Sequence, residues 1–200
     1  MSTTTISAKD VQELRRRTGA GMMDCKKALE ATGGDVEKAV EYLRKKGIAK
    51  AESRTGRGTT EGLIGSYIHH NGKIGVLIEV NCETDFVART DDFQQLVRTL
   101  AEHIAAAAPR GVDTESIPAE EVEKERRIAE EQARQSGKPD AIVQKMVEGK
   151  VESYYKEVVL MSQPWVREPK KTISDLIRES SAKLGENIQV RRFSRFQLGE

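Results

Sequence analysis

Residues 63–88, LIGSYIHHNGKIGVLIEVNCETDFVA, decide what kind of fold the chain can adopt. Two runs, 63–70 and 73–80, flank Asn71-Gly72, the strongest short-range signal for a β-hairpin. A two-residue loop pairs His70 with Lys73. Alternation then sets Leu63, Gly65, Tyr67, Ile74, Val76, Ile78 and Val80 on one face, a credible buried face. The other face holds Ser66, His70, Lys73 and Glu79, with Ile64, Ile68 and Leu77 among them. The second strand runs into NCETDFVA, where Phe86 directly follows an acid. Phe86 either caps the sheet against the next helix or stands out as a rigid aromatic anchor for another protein. Val87 fits the capping role.

Helical periodicity surrounds the hairpin. Residues 6–47 read as three short helices: Ser7 with Asp10 forms a capping-box variant, Gly33-Gly34 stops the second helix and Asp35 caps the third. The third closes before Gly47. Such a bundle is small and marginal, and needs a neighbour or partner. Residues 49–62 lack apolar periodicity and read as a linker. A helix over about 91–108 carries Phe93, Leu96, Val97, Leu100 and Ile104, with Asp91 and Asp92 at its positive end. Residues 118–163 read as two helices joined by the turn SGKPD, an antiparallel hairpin whose charged first arm suggests that it projects, with Asp140 capping the second arm. QPWVREP is a break with Trp165 as an anchor. TISD at 172–175 opens a last helix that stops at Gly185, and NIQVRRFSRF at 187–196 alternates as a third strand joining the hairpin.

The fold class is therefore α+β: an N-terminal three-helix bundle (1–48), the linker (49–62), a core of helices on a small antiparallel three-stranded sheet (63–117 and 164–200) and the helical hairpin (118–163).

The 200 residues are 37% hydrophobic and 32% charged, with a net charge of +1. Interspersed charge of this kind argues against a binder driven by phosphate neutralisation. No apolar run approaches the ~20 residues of a membrane helix, and MSTTTISAKD has no leader-like apolar region. The chain reads as soluble and cytoplasmic, with neither nucleic acid nor membrane as a partner. Cys25 and Cys82 have no metal-ligand spacing, so no metal site and no cofactor is expected. There is no phosphate loop, and adjacent His69 and His70 point to opposite faces of a strand. A Cys82 nucleophile is conceivable, but nothing in the sequence orients it. In GAGMMDCKKAL at 19–29, core packing suits one of Met22 and Met23. Both cannot face inward from the first turn of a short helix, and exposed methionines suit adaptable partner surfaces. A ubiquitin-binding role for the bundle is a second reading, and a cysteine enzyme built on Cys82 a third.

LRRRTGAGMMDCKKALEATGGDVEKAVEYLRKKG, EVNCETDFVAR, YYKEVVLMSQPWV and KLGENIQVRRF together resemble bacterial elongation factor Ts, from about residue 6 to the C-terminus. The resemblance implies a non-catalytic guanine-nucleotide exchange factor for elongation factor Tu. It implies that the bundle is ubiquitin-associated-like and grips the GTPase through Arg15, Met22 and Met23. It also implies that Thr84, Asp85, Phe86 and Val87 form a wedge that dislodges Mg²⁺ from the GTPase. Longer family members carry two copies of the core, and one hairpin here leaves room for one. That points to a homodimer in a two-plus-two complex, with the C-terminal strand as the candidate pairing edge.

Overall fold

The computed structural model describes residues 6–200. Residues 1–5, the start of the stretch read above for a leader and of the first domain, lie outside the described residues. Three helices open the chain: α1 (Ala8–Thr18), α2 (Met22–Ala31) and α3 (Val36–Glu52). The Ser7 hydroxyl accepts from the Asp10 amide at 3.1 Å, and the Asp10 carboxylate accepts from the Ser7 amide at 3.2 Å. The Asp35 carboxylate accepts from the Lys38 amide at 3.0 Å, so each cap silences a backbone donor that the helix leaves unpaired. The inward stripe of Val11, Leu14, Cys25, Ala28, Leu29, Ala39 and Leu43 packs into one small core.

Next come β1 (Glu61–Ile68) and β2 (Ile74–Cys82), antiparallel, with Leu63 opposite Val80 and Ile68 opposite Gly75. This is the register read from the alternation. The turn is looser than expected. The Gly72 N–H donates to the His69 carbonyl at 2.8 Å, and the His69 N–H donates to the Ile74 carbonyl at 2.9 Å. Residues 70–73 thus form the loop, and Gly72 (φ 67°) takes positive φ while Asn71 does not. The Asn71 side chain instead accepts from the Lys73 amide at 3.0 Å, which holds the turn without left-handed backbone at Asn71.

A single helical turn follows, α4 (Asp85–Ala88), and then α5 (Asp91–Ala107). The helical hairpin is α6 (Ala119–Arg134) and α7 (Asp140–Val158), closed by Ala129, Ala133, Val143 and Val147. Asp140 is the first residue of α7 and not its cap; Pro139 precedes it, and the acid sits in the turn where the helix dipole favours it. The break around Trp165 hides a small ribbon, β3 (Pro164–Trp165) paired with β4 (Glu168–Thr172), which alternation over so few residues could not announce. The chain ends with α8 (Ile173–Leu184), opened by the Thr172/Asp175 capping box, and β5 (Gln189–Gln197). β5 pairs antiparallel with β2, giving the sheet order β1-β2-β5. Val76, Ile78, Val80 and Cys82 pack on Phe93, Val97, Leu100 and Ile104 of α5 and on Ile173 and Ile177 of α8. The architecture is α+β, with the helices covering one face of the sheet.

α3 departs from the sequence reading, since it does not stop before Gly47. A Cβ at Gly47 would stand 3.1 Å from the Ala182 Cβ, so the bare backbone lets α3 lie against α8. Gly47 is a contact point and not a terminator. Ala51 is buried in consequence, and Arg44 meets Glu179 at 2.7 Å across the seam. The first residues of the expected linker, 49–52, are therefore helix, its last two begin β1, and the bundle is braced by the core.

Candidate functional site

The last residue of β2, Cys82, is fully buried, and its thiol donates to the Thr84 carbonyl at 3.1 Å. Thr84 leaves the strand with extended backbone and caps α4, its hydroxyl accepting from the Val87 amide at 3.4 Å. The four residues Thr84–Val87 thus stand on one helical turn and not on the strand end expected from the sequence. The turn fixes their directions. Val87 and Ala88 face the core, with Val87 packed on its edge and Ala88 buried. Asp85 points away and pairs with Arg89 at 2.8 Å. Phe86 is 77% exposed. Burial in the chain's own core, one of the two roles open for Phe86, is thereby excluded; Val87 takes that role instead.

The turn is tied from outside by the loop after α8. Glu186 Oε2 accepts from the backbone amides of Glu83 and Thr84, both at 3.0 Å, and Glu186 Oε1 accepts from the Thr84 hydroxyl at 2.5 Å. Glu83 returns the tie, accepting from the Asn187 amide at 2.7 Å. The Asn187 side chain donates to the Arg57 carbonyl at 2.9 Å, which brings the segment after α3 to the same node. Within KLGENI, neither Glu186 nor Asn187 has a role legible from the sequence alone. The hint was an acid and an amide directly after a helix stop, and their partners lie about a hundred residues away in the chain.

Arg15, Met22 and Met23 belong to the bundle, apart from this turn. All three are exposed. Met22 is 40% and Met23 64% exposed, so neither serves the bundle core; Cys25, Ala28 and Leu29 already fill that face of α2. The expectation that one of the pair packs inward is corrected. Gly21 begins α2 without a side-chain cap, leaving the helix's first amides open beside these two side chains.

A cleft runs along the seam between bundle and core, lined by Arg17, Lys46, Lys50, Arg54 and Glu179 among others. Its charges are largely mutual. Asp24 accepts from Lys46 at 3.0 Å and Lys50 at 3.3 Å, and these partners hold the Asp24 carboxyl below its ordinary range.

Covalent chemistry finds little support. Burial, with the Glu186 charge adding to it, pushes the Cys82 thiol up to about 11. A nucleophilic cysteine needs the opposite shift. His103 is fully buried on α5, with Nε2 2.9 Å from the Gln163 side-chain oxygen and Nδ1 accepting from the Val166 amide at 3.4 Å. Burial lowers its pKa, although the Gln163 contact opposes this. Among the described residues no group of three or more His, Cys, Asp or Glu side chains could hold a metal ion, and no helix is long and apolar enough to cross a membrane.

Comparison with known proteins covers nearly the whole chain. The family model described as Elongation factor TS matches residues 7–200. Elongation factor Ts of Anaeromyxobacter sp. (strain K) is 61% identical over 195 residues, 98% of this chain and 89% of that one. Elongation factor Ts of Fervidobacterium nodosum is 58% identical over 195 residues, 98% of this chain and 99% of that one. The corresponding protein of Geobacter sulfurreducens is 55% identical over 98% of this chain and 90% of its own. With a matching model and relatives of this similarity along almost its full length, the chain belongs to the elongation factor Ts family.

Proposed function

We propose that the protein is a guanine-nucleotide exchange factor for elongation factor Tu in translation elongation, acting in the cytoplasm by binding and not by covalent catalysis. The observation that carries this reading is Phe86: a large apolar side chain, 77% exposed, at the tip of a turn already built in the free chain. Such a residue is costly to leave in water and suited to a pocket on another protein.

The mechanism follows from what Phe86 and its neighbours would meet. In the GTPase, Mg²⁺ bridges nucleotide phosphates and protein oxygens. Phe86 enters between elements of the GTPase and shifts the groups that orient the ion. Asp85 needs no metal contact for this. Its pair with Arg89 is exposed and weak, so the carboxylate can be surrendered to a basic group or a backbone amide of the partner. Thr84 and Val87 hold the turn. Arg15, Met22 and Met23, on the ubiquitin-associated-like bundle, supply the grip, with unbranched methionine side chains that adapt to the surface they meet. Exchange then follows from linkage: a factor that binds the nucleotide-free GTPase more tightly weakens nucleotide by the same ratio.

The same reading includes a homodimer in a two-plus-two complex. Ile64, Ile68, Leu77 and Phe196 are exposed on the outer face of the sheet, where Ile68, Gly75 and Phe196 stand in one cross-strand row. That face, more than the β5 edge, is the surface we assign to a second copy, because apolar residues collected in one patch favour association. Light scattering is expected to give twice the chain mass, and Leu77→Glu to give the single-chain mass. A wild-type protein of single-chain mass alone, and a one-plus-one complex with the GTPase, would remove the dimer.

The test of the exchange function is release of fluorescent GDP from elongation factor Tu. Wild-type protein is expected to accelerate release, and Phe86→Ala to lose most of the acceleration while keeping its thermal unfolding profile. Wild-type rates from the Phe86→Ala protein would rule out the wedge.

A further inference from the structure

We infer that Glu186 is a positioning residue for exchange: its carboxylate holds the Thr84–Val87 turn in the shape that presents Phe86. The inference rests on the wedge reading above and adds the part of the chain that makes the wedge stiff.

A four-residue helix cannot hold itself. Its nucleus fixes several backbone torsions for very few hydrogen bonds, so an isolated turn melts in water. α4 has one internal cap, the Thr84 hydroxyl on the Val87 amide, and at 3.4 Å it is long. What the turn lacks internally Glu186 supplies from the loop after α8. One carboxylate oxygen accepts from the amides of Glu83 and Thr84, and the other accepts a hydrogen bond from the Thr84 hydroxyl. The last contact also orients the cap: with its O–H directed at Glu186, the Thr84 oxygen is left to accept from the Val87 amide. Bonds from neutral donors to a carboxylate are stronger than neutral pairs. Glu186 therefore acts on Phe86 through Thr84, since its hydrogen bonds go to Glu83 and Thr84 and not to Phe86.

The same node is tied into the rest of the fold. Glu83 accepts from the Asn187 amide, and the Asn187 side chain reaches the Arg57 carbonyl, so the turn, the α8–β5 loop and the segment after the bundle share one network. Glu186 is only half-buried and lies outside the main core, which is closed by β2, α5 and α8 without it. Loss of its carboxylate should loosen the turn and leave the sheet in place. A rigid anchor loses less freedom on insertion than a loose one, and that difference appears in the exchange rate.

The experiment is a double-mutant cycle on GDP release at saturating factor, with Glu186→Gln, Phe86→Ala and the two combined, alongside amide hydrogen exchange of the free proteins. Glu186→Gln is expected to slow release about tenfold, the scale of one lost charge-assisted bond. In the Phe86→Ala background it should have almost no further effect, because the two act through one element. The Val87 and Ala88 amides should exchange faster, with β1 and β2 amides unchanged. Thr84→Val, which removes the hydroxyl from the other side of the contact, should slow release in the same way and serves if Glu186→Gln folds poorly. A wild-type rate from Glu186→Gln or Thr84→Val overturns the inference, as does a Glu186→Gln effect of equal size in both backgrounds, or faster exchange throughout the sheet. If Phe86→Ala itself releases GDP at the wild-type rate, the wedge reading falls and this inference falls with it. A slow Phe86→Ala with a normal Glu186→Gln removes only the role of Glu186.

Discussion

The start of α2 and the turn at α4 both expose large apolar side chains, and they hold them in opposite ways. Met22 and Met23 stand on a helix that begins at Gly21 without a side-chain cap, and their unbranched side chains can settle into many shapes. Phe86 has two side-chain torsions and stands on a turn fixed by Thr84 and Glu186. The first arrangement suits a grip that must adapt to a surface. The second suits a residue that must move something else without yielding. α2 is a ten-residue helix held by its packing through Cys25, Ala28 and Leu29, whereas α4 is a four-residue turn that takes its hydrogen bonds from an external carboxylate. In this protein stiffness is supplied from a distance in sequence.

The seam that joins the two regions is the place to break the comparison hardest. Gly47→Leu forces a side chain into the space now held by Ala182 and is expected to destabilise the protein by about 1–3 kcal/mol, the usual cost of overpacking. Chemical denaturation measures it, and an unchanged midpoint would mean that bundle and core are not pressed together as described. The core side of that seam can be probed through His103, which is buried on α5 against Gln163 and Val166. Its pKa is lowered in the fold, so the unfolded chain binds the proton more readily. The stability contributed by neutral His103 is therefore complete above the ordinary value of 6.5 and is lost as pH falls below it toward the folded value. Unfolding midpoints between pH 7 and pH 5 should fall more steeply for wild type than for His103→Gln. Parallel slopes would show that this histidine is not the group responsible. The smallest effect is expected at Arg89→Ala. It removes an exposed pair with Asp85 and should change stability by about 0.5 kcal/mol or less, while leaving Phe86 equally exposed. A loss larger than about 1 kcal/mol on that substitution would move the support of the turn from Glu186 to Arg89.

What was legible in the sequence was local. Ser7, Asp35 and the Thr172/Asp175 pair announced helix starts because a cap acts within three residues. The strand register was legible because a buried face of Val76, Ile78 and Val80 permits one alternation. Gly47 was misread because a glycine that allows close approach looks, in one dimension, like a glycine that ends a helix. Met22 and Met23 were half misread because the residues already filling the bundle core are known only once the three helices are packed. The Phe86 turn reads as a strand end because its support comes from Glu186, 102 residues after Thr84, and no window of sequence contains both. The exposure of Phe86 was one of two open readings until the packing of Val87 and Ala88 settled which side faces the core.

The most direct measurement separates grip from displacement in one assay. GDP release from elongation factor Tu is followed across a range of factor concentrations for wild type, Phe86→Ala and the Met22→Ala/Met23→Ala pair. Phe86→Ala is expected to lower the saturating rate by about thirtyfold, the scale of an interface hot spot, with the half-saturating concentration changed little. The methionine pair is expected to raise the half-saturating concentration by about tenfold and to leave the saturating rate near wild type. The contradicting result is the reverse assignment, or a Phe86→Ala protein that reaches the wild-type rate at saturation: either would mean that the turn at 84–87 holds the partner and does not drive nucleotide out.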